Sequence, residues 1–257
     1  MPFDPWDPEQ YERFHDERSR PFFDLLALVH PRRGMCVVDL GCGTGELTRH
    51  LHDEIRARDT LGIDRSPAML AKAAAVAGEG LRFEQGDIAS FAGRDLDLVF
   101  SNAALHWVPD HAALFGRLTE ALSGGGQLAV QMPANFDHPS HVVAAEVRRE
   151  PDFRDALADV ADAARNVLVP EGYATLLERL GYVEQDVRLQ VYGHHLDSPD
   201  EVVEWVKGTL LTEVERRLEP DAYAGFLALY RERLLPRLAD TRPYFFTFKR
   251  ILLWARH

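Results

Sequence analysis

The stretch VVDLGCGTGELT, Val37 to Thr48, constrains this chain more than any other. A β-branched apolar run ends in Asp39, and glycines then stand at alternate positions, Gly41, Gly43 and Gly45, before a helical pattern starts near Glu46. A glycine turn between strand and helix lets backbone N–H groups and the helix N-terminus come close to a ligand. The spacing is G-x-G-x-G, not the G-x-G-x-x-G of a dinucleotide fingerprint, and no lysine follows as in a P-loop. Asp39 at the head of the turn is a poor neighbour for a pyrophosphate and a good one for a cation or an ammonium group.

The surrounding sequence repeats the strand–helix alternation. MCVVDL, TLGID, LRFEQGD, LDLVFSN and GGGQLAVQMP read as strands, with helical stretches after the first, second and fourth. Ser66 is a natural N-cap, with Pro67 at the first helical position. EQDVRLQVYGHHL and the closing YFFTFKRILLWAR add two further strands. This order predicts an α/β fold, a doubly wound, Rossmann-like and mostly parallel seven-stranded sheet. Upstream, Gln10 to His30 reads as a helical region broken near Pro21. A long helical insertion is expected from about Ser140 to Asn166, and two more helical stretches follow in SPDEVVEWVKGTLL and AYAGFLALYRERLLPRL. These extra elements, from about 1–30, 138–168 and 198–240, are expected to cap the ligand edge of a single domain spanning 1–257.

Charge removes several function classes. With 29 basic and 41 acidic residues the formal charge is 29 − 41 = −12, and polyphosphate backbones need clustered Lys and Arg. No nucleic-acid or membrane partner is expected. No apolar run reaches the ~18 residues of a membrane span, and the acidic, proline-rich start is unlike a secretory signal. Cys36 and Cys42 suit a reducing cytoplasm rather than a disulfide framework. No histidine pair has the companions of a metal site, and a monomer or weak homodimer is expected.

Two later acids give the glycine loop its meaning. Asp64 ends the second strand, nineteen residues past Gly45, where a carboxylate can take both ribose hydroxyls. Asp87, in the EQGDI segment, stands where it could accept from an adenine amino group. The loops after successive strands thus offer carboxylates to an adenosine and a cationic amino-acid tail, with no phosphate clamp. VVDLGCGTG, GIDRSPAML, EQGDI and SNAALHW, in this order and spacing, resemble the class I S-adenosylmethionine-dependent methyltransferases. A closer resemblance, over nearly the whole chain, is to the trans-aconitate 2-methyltransferase family. It is carried by YERFHDERSRPFFDLL, NAALHWVPDH, VQMPANFDHPSH, VVEWVKGT and FTFKRILL.

The resemblance implies an S-adenosylmethionine cofactor, S-adenosylhomocysteine as its product, and a small-molecule acceptor methylated on a carboxylic acid. It implies that Asp39, Gly41, Cys42, Gly43 and Gly45 hold the methionine part, with Asn102 and Trp107 on that side. Asp64 and Arg65 would serve the ribose, and Met69, Gly86, Asp87 and Ile88 the adenine. Tyr11 and Arg20 become contacts to the cofactor's carboxylate. In the expected cap, Trp205, Lys207 and Arg242 are candidate acceptor contacts. His106 stands where the family has glutamine, and Thr212 and Glu213 where it has arginine and proline. An O-, N- or C-methyltransferase of another metabolite, with His106 as general base, therefore stays open beside ester formation.

Overall fold

The alternation read from the sequence closes into one sheet. The structure, a computed structural model, describes residues 15–160 and 163–257. Its strands are β1 (Cys36–Leu40), β2 (Asp59–Asp64), β3 (Leu81–Gln85), β4 (Leu96–Asn102), β5 (Leu122–Pro133), β6 (Glu184–Leu196) and β7 (Tyr244–Arg256). Their order is β3-β2-β1-β4-β5-β7-β6. The β2–β3, β1–β2, β1–β4 and β4–β5 pairs are parallel, and β7 runs antiparallel to β5. Chain order reverses between β1 and β4, and it is at such a switch point that ligands bind beyond the carboxyl ends of the strands.

Helices α1 (His15–Leu26), α2 (Glu46–Glu54), α3 (Pro67–Ala73), α4 (His111–Glu120), α6 (Ala163–Asn166) and α7 (Pro170–Arg179) accompany the sheet, with α5 (Pro139–Val147) inserted after β5. The expected break at Pro21 does not occur: α1 runs through it. Burial of Phe22, Leu25 and Leu26 outweighs the one N–H that proline removes. The Ser66 cap forms as expected, its Oγ accepting from Met69 N at 3.2 Å. The insertion is less helical than expected: α5 ends at Val147, and turns follow up to Val160. Pro151 explains the stop, since it disfavours helix in the residue before it.

The chain forms two compact units. The first holds the sheet, in segments Asp16–Ala134, Asp162–Gln190 and Arg250–His257. One face of its sheet, with Val38, Leu40, Val99, Val130 and Met132, packs in an apolar cluster with Leu114, Phe115, Leu118 and Tyr173. The second takes in Asn135–Ala161 and Val191–Lys249. It contains α5, α8 (Glu201–Lys207), α9 (Thr212–Arg217) and α10 (Pro220–Leu234), around a core of Val147, Trp205, Phe226, Tyr230 and Phe246.

In the second unit α5 begins on a histidine cap. His138 Nδ1 accepts from Ser140 N at 3.1 Å, and Ser140 Oγ lies 3.1 Å from His141 Nδ1. The two rings sit against Phe136, Phe246 and Phe248. Burial pushes His138 down to about 4, against the pull of Asp137 and with help from Lys249. Burial and then repulsion from His138 push His141 down to about 3. The unfolded chain takes up these protons first, so the stability is full above the ordinary histidine value and is lost as pH falls toward 4 and below. Each histidine contributes a slope of up to about 1.4 kcal/mol per pH unit. Urea melts of His138→Asn, which keeps a capping acceptor, should show a shallower loss of stability between about pH 6.5 and 4 than the wild type.

Candidate active site

Asp39 is 4% exposed at the end of β1, and its Oδ2 accepts from Thr48 Oγ1 of α2 at 2.6 Å. Burial pushes its carboxyl up to about 7; the Thr48 bond opposes this and the charge of Asp64 adds to it. A buried carboxyl so disposed favours a cation as its partner. The glycines after it have positive φ, 84° at Gly41, 55° at Gly43 and 79° at Gly45. A Cβ at Gly41 would come within 2.2 Å of Ala104 Cβ, and one at Gly45 within 2.7 Å of Phe83 Cζ. At Gly43 nothing lies within 4 Å of that position. Two glycines are thus demanded by the protein itself, and the third faces open space.

The loop is tied to the end of β2. Gly41 N and Cys42 N both donate to Ile63 O, at 2.8 and 3.0 Å. Asp64 accepts from Gly43 N through Oδ2 and from Ser66 N through Oδ1, each at 2.9 Å. Asp64 therefore braces the glycine loop from the end of β2. Each carboxylate oxygen keeps a further lone pair for a ligand. Cys42 is buried, and its thiol is pushed up by burial and by Asp39 and Asp64, which leaves it a neutral packing group.

The remaining positions fall along the same edge. Met69 is buried at the start of α3, and exposed Arg65 accepts at its backbone O from Gln85 Nε2. A Cβ at Gly86 would meet Ile63 Cγ2 at 2.9 Å. Asp87 is exposed and caps the turn Ile88–Ser90, its Oδ1 accepting from Ala89 N at 2.8 Å. Asn102 ends β4 with its Oδ1 buried and without a hydrogen-bond partner among the described residues. Ala103 follows with φ 56°, a strained value for a residue with a Cβ, and its N donates to Gln131 O at 2.9 Å.

His106 is 7% exposed, its ring 4.6 Å from that of the half-buried Trp107. Its backbone O accepts from Asn166 Nδ2 at 3.1 Å. Asn166, which sequence reasoning missed, thus anchors the loop from α6. Arg20 lies on α1 with an exposed side chain, and Tyr11 lies outside the described residues. Trp205, Lys207 and Arg242 belong to the second unit. There Trp205 is 1% exposed beside His194 and Phe246, Lys207 Nζ is 2.9 Å from Glu204 Oε2, and Arg242 is exposed near Asp240.

The residues at the sheet edge fit S-adenosylmethionine. Asp39 is a buried acid suited to a cationic tail, the backbone at Gly43 leaves open space, and Asn102 Oδ1 is a buried acceptor without a partner among the described residues. Residues 31–178 match the family model described as "Methyltransferase domain". The trans-aconitate 2-methyltransferase of Deinococcus radiodurans is 44% identical over 255 residues, covering 97% of each chain. The chain belongs to this family. It is an S-adenosylmethionine-dependent methyltransferase. Two solved structures share its fold. The YcgJ protein of Bacillus subtilis has a TM-score of 0.60 at 14% identity, over 92% of this chain and 97% of that one. The phosphoethanolamine N-methyltransferase 2 of Haemonchus contortus, in complex with S-adenosyl-L-methionine, has 0.54 at 17%, over 91% and 51%.

The raised Asp39 carboxyl sets a sign for this methyltransferase. The folded, ligand-free protein holds a proton that the unfolded chain releases near the ordinary aspartate value, so Asp39 costs stability as pH rises from about 4 to about 7. Asp39→Asn removes that cost while keeping an acceptor for Thr48. At pH above 7 the free variant should melt higher than the wild type, whereas its affinity for S-adenosylmethionine should drop about 10–100-fold. Calorimetry and thermal melts check both.

Proposed function

We propose that this methyltransferase forms a methyl ester on a carboxylate of trans-aconitate or a closely related polycarboxylate. The observation that carries the reading is near-full-length identity to relatives bearing that name: 44% in Deinococcus radiodurans, over 97% of each chain. The identity thus spans the α8–α10 segment as well as the glycine loop. That segment departs from the family at Thr212 and Glu213, but Glu213 is ion-paired with Arg216 one turn on. The added acid is neutralised within α9, which leaves the reading of an anionic acceptor intact.

S-adenosylmethionine, when bound, supplies an electrophilic methyl group whose S–C bond electrons stay on sulfur, so transfer to an ionised carboxylate moves no proton. The protein's work is then alignment. Asp39 and the backbone at Gly41, Cys42, Gly43 and Gly45 hold the methionine end, helped by Asn102, Trp107 and Arg20. Asp64 and Arg65 hold the ribose, while Met69, Gly86 and Ile88 enclose the adenine and Asp87 accepts from its amino group. In the second unit, Lys207 and Arg242 are the cationic candidates for an acid acceptor, while Trp205 lies in that unit's core. His106 acts as a wall residue with Trp107 rather than as a base. No described helix is long and apolar enough to cross a membrane. The free thiols Cys36 and Cys42 suit a reducing cytoplasm.

Incubation with S-adenosylmethionine and trans-aconitate should yield a monomethyl ester by mass spectrometry. His106→Ala should keep the rate within about 10-fold, whereas a base would be worth ~10²–10⁴-fold. A loss of that larger size, or methylation at O, N or C of another metabolite in place of the acid, would contradict the reading.

A further inference from the structure

Beside Asp39 the sheet edge carries a second polar feature. Gln131, near the end of β5, is 0% exposed, and neither its Oε1 nor its Nε2 finds a partner among the described residues. Its register partners are Asn102 on β4 and Leu252 on β7. Register partners project from the same face, so the Gln131 and Asn102 carboxamides are neighbours. Arg250 is on that face too, paired with Pro133 two residues along β5, and Asp39 shares it through its partner Phe100. The alternate residues Val130 and Met132 point into the apolar core on the other side.

A carboxamide buried with both ends unmet carries the full desolvation penalty of a donor and an acceptor. A methionine would fill similar space without that cost. No described residue supplies that partner, and a bound ligand at this edge can. Strands β1, β2 and β3 bring Asp39, Asp64 and Asp87 to the methyl donor. The order β3-β2-β1-β4-β5 puts Gln131 two strands past β1 in the opposite direction, about 10 Å away at the usual strand spacing. That half of the edge is left for the acceptor.

We propose that Gln131 determines acceptor specificity, its Nε2 donating to a carboxylate of the methyl acceptor. Its Oε1 accepts from the neighbouring Asn102 amide, and Asn102 Oδ1 accepts from the ammonium group of the donor. The acceptor then meets Gln131 Nε2 and the donor meets Asn102 Oδ1, the two open atoms that face ligands. Arg250 adds positive charge on the same face. The inference rests on the carboxylate-methylating reading above.

The test measures trans-aconitate binding to the complex with S-adenosylhomocysteine, together with turnover, in wild type, Gln131→Met and Gln131→Glu. Met should weaken acceptor binding and raise KM by about 10–100-fold, and Glu by more, with kcat within about 5-fold. S-adenosylhomocysteine affinity should stay within about 3-fold in both variants. Unchanged acceptor binding in both, the result if a buried water satisfies Gln131, overturns the inference. So does a loss of S-adenosylhomocysteine affinity that matches the acceptor's. If the Glu variant fails to fold, the Met variant, of similar volume and with no polar end to satisfy, decides alone. Wild type that binds the acid without esterifying it contradicts the proposed reaction and leaves the variant comparison standing; wild type that binds no polycarboxylate overturns both.

Discussion

A carboxyl group held out of water at the tip of β1 governs the rest of this molecule. Among the described residues Asp39 accepts from Thr48, with the charge of Asp64 nearby. No described residue gives it a counter-charge, and a cationic ligand would. The loop that would receive this ligand is kept rigid by bonds that do not involve it: two N–H groups on Ile63 O, a third on Asp64, and glycines pressed against Ala104 and Phe83. Preorganisation of that kind puts the cost of ordering the site into folding rather than into binding.

The sheet order then divides the edge. On one side of the switch point lie the acids that suit an adenosine and a cationic tail. On the other lie Gln131 and Arg250, a carboxamide donor and a guanidinium, which suit an anion, with Asn102 between the two halves. An acidic protein of net charge −12 needs such a local arrangement to receive a polycarboxylate, because its overall field disfavours one.

Much of this was legible in the sequence because it depends on local chemistry. The loop, Asp64, Asp87, the Ser66 cap and the β7 run Tyr244–Arg256 each announce themselves within a dozen residues. What was not legible depends on register or packing. Gln131 reads as an ordinary polar residue in VQMP until pairing with Asn102 and complete burial single it out. Asn166 reaches His106 O from sixty positions away, with no motif to mark it. Pro21 looked like a helix break because propensity is local, whereas the burial of Phe22 and Leu25 is not. His111 showed only as a helix start, yet its ring bonds Tyr173 and Leu105 O, and burial lowers its pKa, so it serves the core.

The central claim is that a buried, proton-holding Asp39 meets the cation of the methyl donor. Calorimetric titration of S-adenosylmethionine in buffers of different ionisation heat counts the protons exchanged on binding. Slightly below the Asp39 value of about 7, the wild type should release a large fraction of one proton, and Asp39→Asn should release none. Equal proton counts in the two proteins would contradict the account.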